Sequence, residues 1–150
     1  MRLLIQRVQS ASVSINKNIV GQISNGLLLF IAFEEVDDES DLHWAIKKVL
    51  GLRIFSDHQQ KMNLSVEDIT GEILVVSQFT LFASTKKGNR PSFIRSAKPE
   101  DALKLYKKFN EILQRQTNLK IQSGKFGADM KVSLLNDGPV TIAIDTKNRE

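Results

Sequence analysis

From residue 1 to 33 the chain alternates apolar and polar positions in short runs, RLLIQRVQ, ASVSI and IVGQI, and then becomes uninterrupted in LLLFIAF (27–33). Period-two alternation predicts half-buried strands, and a run apolar on both faces predicts a central strand covered on each side. Asn16, Lys17 and Asn18, then Asn25-Gly26, separate these runs. Such residues tolerate positive φ, so a meander of antiparallel hairpins is expected. The period then lengthens: Leu42, Ala45, Ile46, Val49 and Leu50 recur at helical spacing, with Asp38 or Ser40 as N-cap and Gly51 as the stop. LRIF (52–55) reads as a short strand, DHQQKMNLSVED as a polar loop, and Thr70-Gly71 as the turn into a strand over 72–82. Pro99 opens a second helix that carries Ala102, Leu103, Tyr106, Phe109, Ile112 and Leu113 on one face. LKIQSG, KVSLLN and VTIAID supply further strands.

Strands outnumber helices and do not alternate regularly with them. The predicted class is α+β: one β-rich domain over 1–150 with a mixed or antiparallel sheet and two main helices. At 150 residues, 41 % hydrophobic and 25 % charged, the chain is long enough for one core and too short for two. Nothing approaches the length of a membrane span, and the N-terminal stretch lacks the apolar centre of a signal peptide, so a cytoplasmic protein away from membranes is expected.

Composition removes several chemistries. The absence of cysteine excludes thiolate nucleophiles, disulfides and sulfur-ligated metals. The two histidines, His43 and His58, sit in no metal-binding spacing, so neither a metal nor a cofactor is expected. GxSxG, P-loop and GxGxxG patterns are missing, and no histidine follows Ser77, Thr80 or Thr141 to serve as a base. The acids of EEVDDESD (34–41) suit the first turn of a helix, where they oppose its dipole.

Against that background SQFTLFA (77–83) is unusual. A strand that has placed Ile73, Leu74, Val75 and Val76 in a core continues with Ser77, Gln78 and Thr80, hydrogen-bonding side chains suited to the floor of a small-molecule pocket. Phe79 and Phe82 are expected in a different environment from Gln78 and Thr80, with Phe79 a core residue. Directly downstream, Lys86, Lys87, Arg90, Arg95 and Lys98 collect in a gap between Glu72 and Glu100 that holds no acid, a pattern that serves either a solvated loop or a polyanionic partner. In NDGPVTIAID (136–145) Gly138-Pro139 interrupts a strand pattern, since proline cannot donate to a ladder. The bland reading is a bulge or turn, and the sharper one is a cis bond, which would form a rigid polar wall. In KFGADMKVSLLN (125–136), Gly127 and Ala128 permit close approach to the backbone, while Phe126 and Met130 taken singly read as core.

SQFTLFA and NDGPVT together resemble the two signature motifs of the D-aminoacyl-tRNA deacylases, SQFTLxA and NxGPVT, and the likeness extends to MRLLIQRVQSASVSI, RPSF (90–93) and FGADM (126–130). The resemblance implies a barrel-like fold and a homodimeric hydrolase, with active sites at the subunit interface, that cleaves the ester of D-aminoacyl-tRNA in translation proofreading. Glycyl-tRNA, including glycine mischarged on alanine tRNA, would also be cleaved. It implies catalytic positions at Ser77, Gln78 and Thr80 and substrate contacts at Phe79, Met130, Gly138, Pro139, Val140 and Thr141. A cis Gly138-Pro139 pair of one subunit would exclude L-amino acids from the other's pocket. Lys86, Lys87, Arg90 and Arg95 would hold tRNA phosphates. Attack by water, assisted by the 2′-hydroxyl of the terminal adenosine, is the implied route, and a covalent role for Thr80 lacks a base nearby in sequence. The alternatives are a non-catalytic tRNA-binding module and a hydrolase of L-aminoacyl or peptidyl-tRNA, which the Gly138-Pro139 pair disfavours.

Overall fold

The computed structural model describes residues 1–149. Strand β1 (Arg2–Ile15) joins RLLIQRVQ and ASVSI, and the left-handed Asn16 and Lys17, with φ of 49° and 68°, turn the chain back. Strands β2 (Asn18–Ile23) and β3 (Gly26–Ala32) then lie end to end along one edge of β1. Ala11 pairs with Ile23 and Val8 with Gly26, so Asn25-Gly26 does not reverse the chain. This corrects the expected meander. Glycine is needed at 26 because a Cβ there would lie 1.9 Å from the Glu72 carbonyl oxygen.

The acids at 34–41 start helix α1 (Glu39–Gly51), where Asp38 accepts from the Ser40 and Asp41 N–H groups and Asp41 accepts in return from the Asp38 N–H at 3.0 Å. This reciprocal cap satisfies donors that the helix cannot. Helix α2 (Pro99–Gln116) opens at Pro99, as its sequence predicts. Both helices cover one face of the sheet, where Leu3, Ile5, Leu27, Leu29 and Ile31 pack with Leu42, Ile46, Val49, Phe109 and Leu113. Leu28 points to the other face and joins Val8, Val13, Leu74 and Val76. The unbroken apolar run 27–33 is thus a strand buried on both sides, and each such leucine contributes roughly 1.5–3 kcal/mol.

Segment 52–68 departs from expectation. LRIF gives only Phe55 to a strand, and the expected loop supplies the other half of a small hairpin, β4 (Phe55–Ser56) with β5 (Met62–Leu64). The Asp57 carboxylate closes its turn by accepting from the N–H groups of Gln59 and Lys61.

Strand β6 (Glu72–Ser77) runs parallel to β3, and β7 (Ile121–Ser123) parallel to β6. The stretches KVSLLN and VTIAID form one strand, β8 (Lys131–Asp145), antiparallel to β1 along its other edge. Its ladder is irregular in two places: Gln6 pairs with Thr141 but Val8 with Asn136, so 137–140 bulge out opposite Arg7, and a second, smaller shift follows between Val8 and Ser10, which pairs with Leu135. The sheet is mixed, as predicted, and it curls: a Cβ on Gly21 of β2 would lie 3.1 Å from the Leu74 side chain of β6 and 3.3 Å from the Ser123 oxygen of β7. The result is a nearly closed, barrel-like sheet with two helices. Among the described residues no helix is long and apolar enough to cross a membrane.

Candidate active site

Strand β6 does not continue to 82. After Ser77 the Gln78 N–H still donates to the Ile31 carbonyl at 2.8 Å, and the chain then tightens into a 3-10 turn, Phe79–Phe82. The Leu81 N–H donates to the Gln78 carbonyl at 3.2 Å and the Ala83 N–H to the Thr80 carbonyl at 3.0 Å. The first N–H groups of such a turn, those of Phe79 and Thr80, have no acceptor within it, and no side chain caps them. The expected extended strand is therefore corrected to a turn, which presents two adjacent backbone donors.

That turn borders a cavity of about 480 Å³ lined by Ser77, Gln78 and Phe79 on one side and by Phe93, Phe126 and Gly127 on others. Gln78 Nε2 donates to Thr80 Oγ1 at 2.6 Å, which leaves the Thr80 hydroxyl hydrogen and the Gln78 carbonyl oxygen for other partners. Phe79 is 58 % exposed and meets Phe93 edge-on, with ring centroids 5.1 Å apart, whereas Phe82 is 1 % exposed. The expectation that Phe79 is a core residue is thus corrected: the turn abolishes strand alternation, and the rings part, Phe82 inward and Phe79 to the cavity mouth.

Behind the cavity, Phe126 leans on Tyr106, whose hydroxyl is placed to donate to the carbonyl oxygens of Val75 and Gly124. Burial pushes the Tyr106 phenol up to about 12, so it stays a neutral donor at physiological pH. Met130, from the same stretch as Phe126, does not line this cavity. It packs against the Val8–Leu74 cluster, with its sulfur in the space that a side chain at Gly124 would need.

The second signature stretch lies elsewhere. Gly138-Pro139 is a cis peptide at the exposed crest of the 137–140 excursion, and neither residue lines the cavity of its own chain. Arg7, 8 % exposed, holds this excursion from below: its Nε donates to the Asp137 carbonyl at 3.2 Å and faces the Asp137 carboxylate at 3.0 Å, while Nη1 donates to the Ile54 carbonyl. Asn136 Nδ2 bridges the carbonyls of Arg7 and Val140 at 2.9 and 3.0 Å. Val140 is half-buried against the main core, and the exposed Thr141 accepts from Gln6 Nε2 at 3.2 Å. No local motif marks Arg7. Its signal was a charged residue within the otherwise apolar alternation of LLIQRV.

Ser84 and Ser92 exchange two backbone bonds of 2.8 and 2.9 Å, closing an arm that carries the exposed Lys86, Lys87 and Arg90. Arg95 differs from these three. It is bonded to Glu34 at 3.1 Å, and its guanidinium lies 5.5 Å from the Phe82 ring centroid. Among the described residues no group of three or more metal-ligating side chains occurs.

Residues 4–145 match the sequence model of the family described as D-Tyr-tRNA(Tyr) deacylase. The chain belongs to that family. Relatives of this deacylase-family chain include D-aminoacyl-tRNA deacylases from Flavobacterium psychrophilum, 56 % identical, and Bacteroides thetaiotaomicron, 53 % identical, each over 150 residues and 100 % of both chains. Among solved structures, one described as a c-Myc DNA Unwinding Element Binding Protein matches with a TM-score of 0.92 at 38 % identity, over 97 % of this chain and 98 % of that one. Another, described as a probable eukaryotic D-amino acid tRNA deacylase, matches with a TM-score of 0.80 at 20 % identity, over 95 % and 97 %, a likeness of fold alone. The family resemblance carried by SQFTLFA and NDGPVT is borne out.

Proposed function

We propose that this chain, acting as one domain, hydrolyses the ester that joins a D-amino acid to the 3′ end of tRNA, releasing the free amino acid and the tRNA. The carrying observation is the 3-10 turn after β6, whose Phe79 lines the cavity with Ser77 and Gln78 and whose uncapped Phe79 and Thr80 N–H groups adjoin the Gln78–Thr80 side-chain pair. Backbone donors fixed where a carbonyl oxygen becomes negative are a strong electrostatic catalyst, each worth on the order of 10² to 10³ in rate. An aminoacyl ester is already activated, so water attacks with help from the 2′-hydroxyl of the terminal adenosine, and Thr80 positions Gln78 rather than attacking. Ser77 adds a hydroxyl on the cavity wall.

Chiral selection belongs in this reading to Gly138 and Pro139 of a second copy, inserted over the cavity so that an L side chain is excluded while glycine, lacking one, is accepted. Two features support it. The excursion is exposed yet held firmly by Arg7 and Asn136, and β8 pairs with β1 and with no other strand among the described residues, which leaves a long edge for a partner. Val140, Thr141 and Met130 are then supporting contacts. Glycine mischarged on alanine tRNA is a further substrate, and the enzyme acts in the cytoplasm, where charged tRNA is used.

Lys86, Lys87 and Arg90 supply the sequence-blind contact to acceptor-stem phosphates. The neighbour described as a DNA-element binding protein favours a second reading, nucleic-acid binding without hydrolysis. Deacylation of D-tyrosyl-, L-tyrosyl- and glycyl-tRNA at two salt concentrations separates the two. Turnover of the D and glycyl esters with the L ester intact supports the deacylase. Retention of tRNA in a shift assay with all three esters intact supports the binding module, and turnover of the L ester overturns the chiral reading.

A further inference from the structure

The turn that carries the Phe79 and Thr80 donors is a single short 3-10 segment, whose Leu81 and Ala83 N–H groups bond back to the carbonyls of Gln78 and Thr80 at its two ends. Its orientation is set from outside. Arg2, at the start of β1, reaches it with Nη1, which donates to the Leu81 carbonyl at 3.0 Å, while Nε of the same guanidinium donates to Asp145 Oδ2 at 2.9 Å. The guanidinium carbon lies 4.7 Å from the centroid of the Phe82 ring, and the Arg95 guanidinium lies 5.5 Å from that same centroid. Arg95 is in turn fixed by Glu34 at 3.1 Å. Phe82 is thus a buried ring with two anchored cations over it, at the last position of the turn.

The geometry points to Arg2 as a positioning residue for the reaction: through the Leu81 carbonyl and the Phe82 ring it fixes the rotation of the 79–82 turn, and so the aim of the Phe79 and Thr80 N–H groups. This rests on the deacylase reading of the cavity. Arginine suits the task because one group must bond in two directions and also sit over a ring, and a lysine ammonium cannot do all three. The Asp145 carboxylate anchors the arrangement. Burial tends to raise its pKa, but the bond from Arg2 and the Lys147 N–H hold it below the usual range, so it remains an anion at neutral pH. Arg2 does not line the catalytic cavity. It borders a separate groove with Leu81 and Asp145, and its effect on catalysis is transmitted by the turn.

The test compares wild type with Arg2→Met, which keeps an apolar stem, and Arg2→Lys, which keeps the charge. Two readouts are taken: kcat and KM on D-tyrosyl-tRNA, and amide hydrogen exchange resolved at 78–83 and at 73–76. In Arg2→Met, kcat is expected to fall on the order of ten- to a hundredfold, as misplacement of a reacting geometry by a fraction of an ångström to an ångström does. KM should stay within about twofold, because the substrate's ground-state contacts are intact. Exchange should quicken at 78–83 and not in β6, and Arg2→Lys should recover only part of kcat. Unchanged kcat and unchanged exchange at 78–83 in Arg2→Met overturn the assignment, and so does exchange that rises throughout the sheet, which marks a merely structural role. Should wild type fail to cleave the ester, the deacylase reading falls by itself, and exchange at 78–83 still decides whether Arg2 holds the turn.

Discussion

Arg7 holds Asp137 twice, by its backbone oxygen at 3.2 Å and its carboxylate at 3.0 Å, and so pins the residue immediately before the Gly138-Pro139 pair to the middle of β1. Because the guanidinium also bonds the Ile54 carbonyl, one buried side chain ties the excursion to the neighbouring hairpin. Lysine at position 7 would reach at most part of this set. Arg7→Lys is expected to lower Tm by several degrees, since hydrogen bonds to a charged group are worth about 1.5–3 kcal/mol and each kcal/mol moves Tm by about 2–4 °C in a chain of this size. D-tyrosyl-tRNA turnover should fall with it. Wild-type turnover in a folded Arg7→Lys protein would separate the excursion from the reaction.

Gly138 has φ of +121°, and a Cβ there would lie 2.9 Å from both Arg7 Nη2 and Val140 Cγ2. Alanine at this position combines strain of about 1–3 kcal/mol with displacement of the arginine. Gly138→Ala is therefore expected to reduce turnover of D-esters more than tRNA binding, measured by single-turnover deacylation beside a shift assay. Equal rates for the two proteins would remove the excursion from the catalytic account.

The two phenylalanines of the turn should separate cleanly. Phe82 is fully buried, so Phe82→Ala should cost about 3–5 kcal/mol. Phe79 is exposed and loses mainly its edge-on contact with Phe93, worth about 0.5–1.5 kcal/mol. Thermal melts should show a large loss for Phe82→Ala and a small one for Phe79→Ala, with Phe79→Ala still losing activity. The opposite order of melting temperatures would refute the placement of the turn.

Thr80→Val removes the acceptor of the 2.6 Å bond from Gln78 but leaves the backbone N–H groups of the turn. If Thr80 positions Gln78, deacylation should slow by about tenfold, corresponding to one lost hydrogen bond of about 1 kcal/mol or slightly more. A loss on the order of 10⁴ or greater would instead identify its hydroxyl as the attacking group.

Asp41 gives a pH signature away from the site. Burial by itself would push its carboxyl up, but the bond from Lys147 Nζ at 2.7 Å, with those from the Asp38 N–H and Thr146, holds it below the ordinary range. A carboxylate depressed in the folded state stabilises at pH above its unfolded value, and that contribution is lost as pH falls through its folded value. The Tm of Asp41→Asn should lie below wild type at pH 7, and the gap should close at pH values below about 4. A gap independent of pH would show that the charge of Asp41 contributes nothing.

What was legible in the sequence followed from local period. β1, β3, α1 and α2 each carry an apolar face, or two, that only one kind of element can bury, and Asp38, Gly51 and Pro99 mark their ends. The 3-10 turn was not legible: Phe79, Thr80 and Phe82 are strand-forming types, and what bends them is distant, the Ile31 carbonyl and the Arg2 side chain. Segment 57–68 differs from the expected loop for a related reason: β5 is polar and is held by the turn at Asp57 rather than by burial. SQFTLFA and NDGPVT could be singled out by composition and resemblance, but their separation within one chain depends on the register of β8 against β1, which no local pattern encodes. Arg7 was hidden in the same way, since its partner Asp137 is 130 residues away.

The interrupted ladder of β8 also governs which changes of length the chain can absorb. Thr141 and Asn136 are both registered against β1, and Asn136 spans the gap by bonding the carbonyls of Arg7 and Val140, so an added residue between them must either break that span or slip one half of the strand. A slip of one place would turn Ile142 and Ile144 out of the core. The arm between Ser84 and Ser92 is closed by a single reciprocal pair of bonds and buries nothing at its tip. Insertions and deletions in chains built this way should therefore accumulate in the basic arm and be absent from the crest at 137–140, and the arm is the place where an added peptide or label would leave the fold undisturbed.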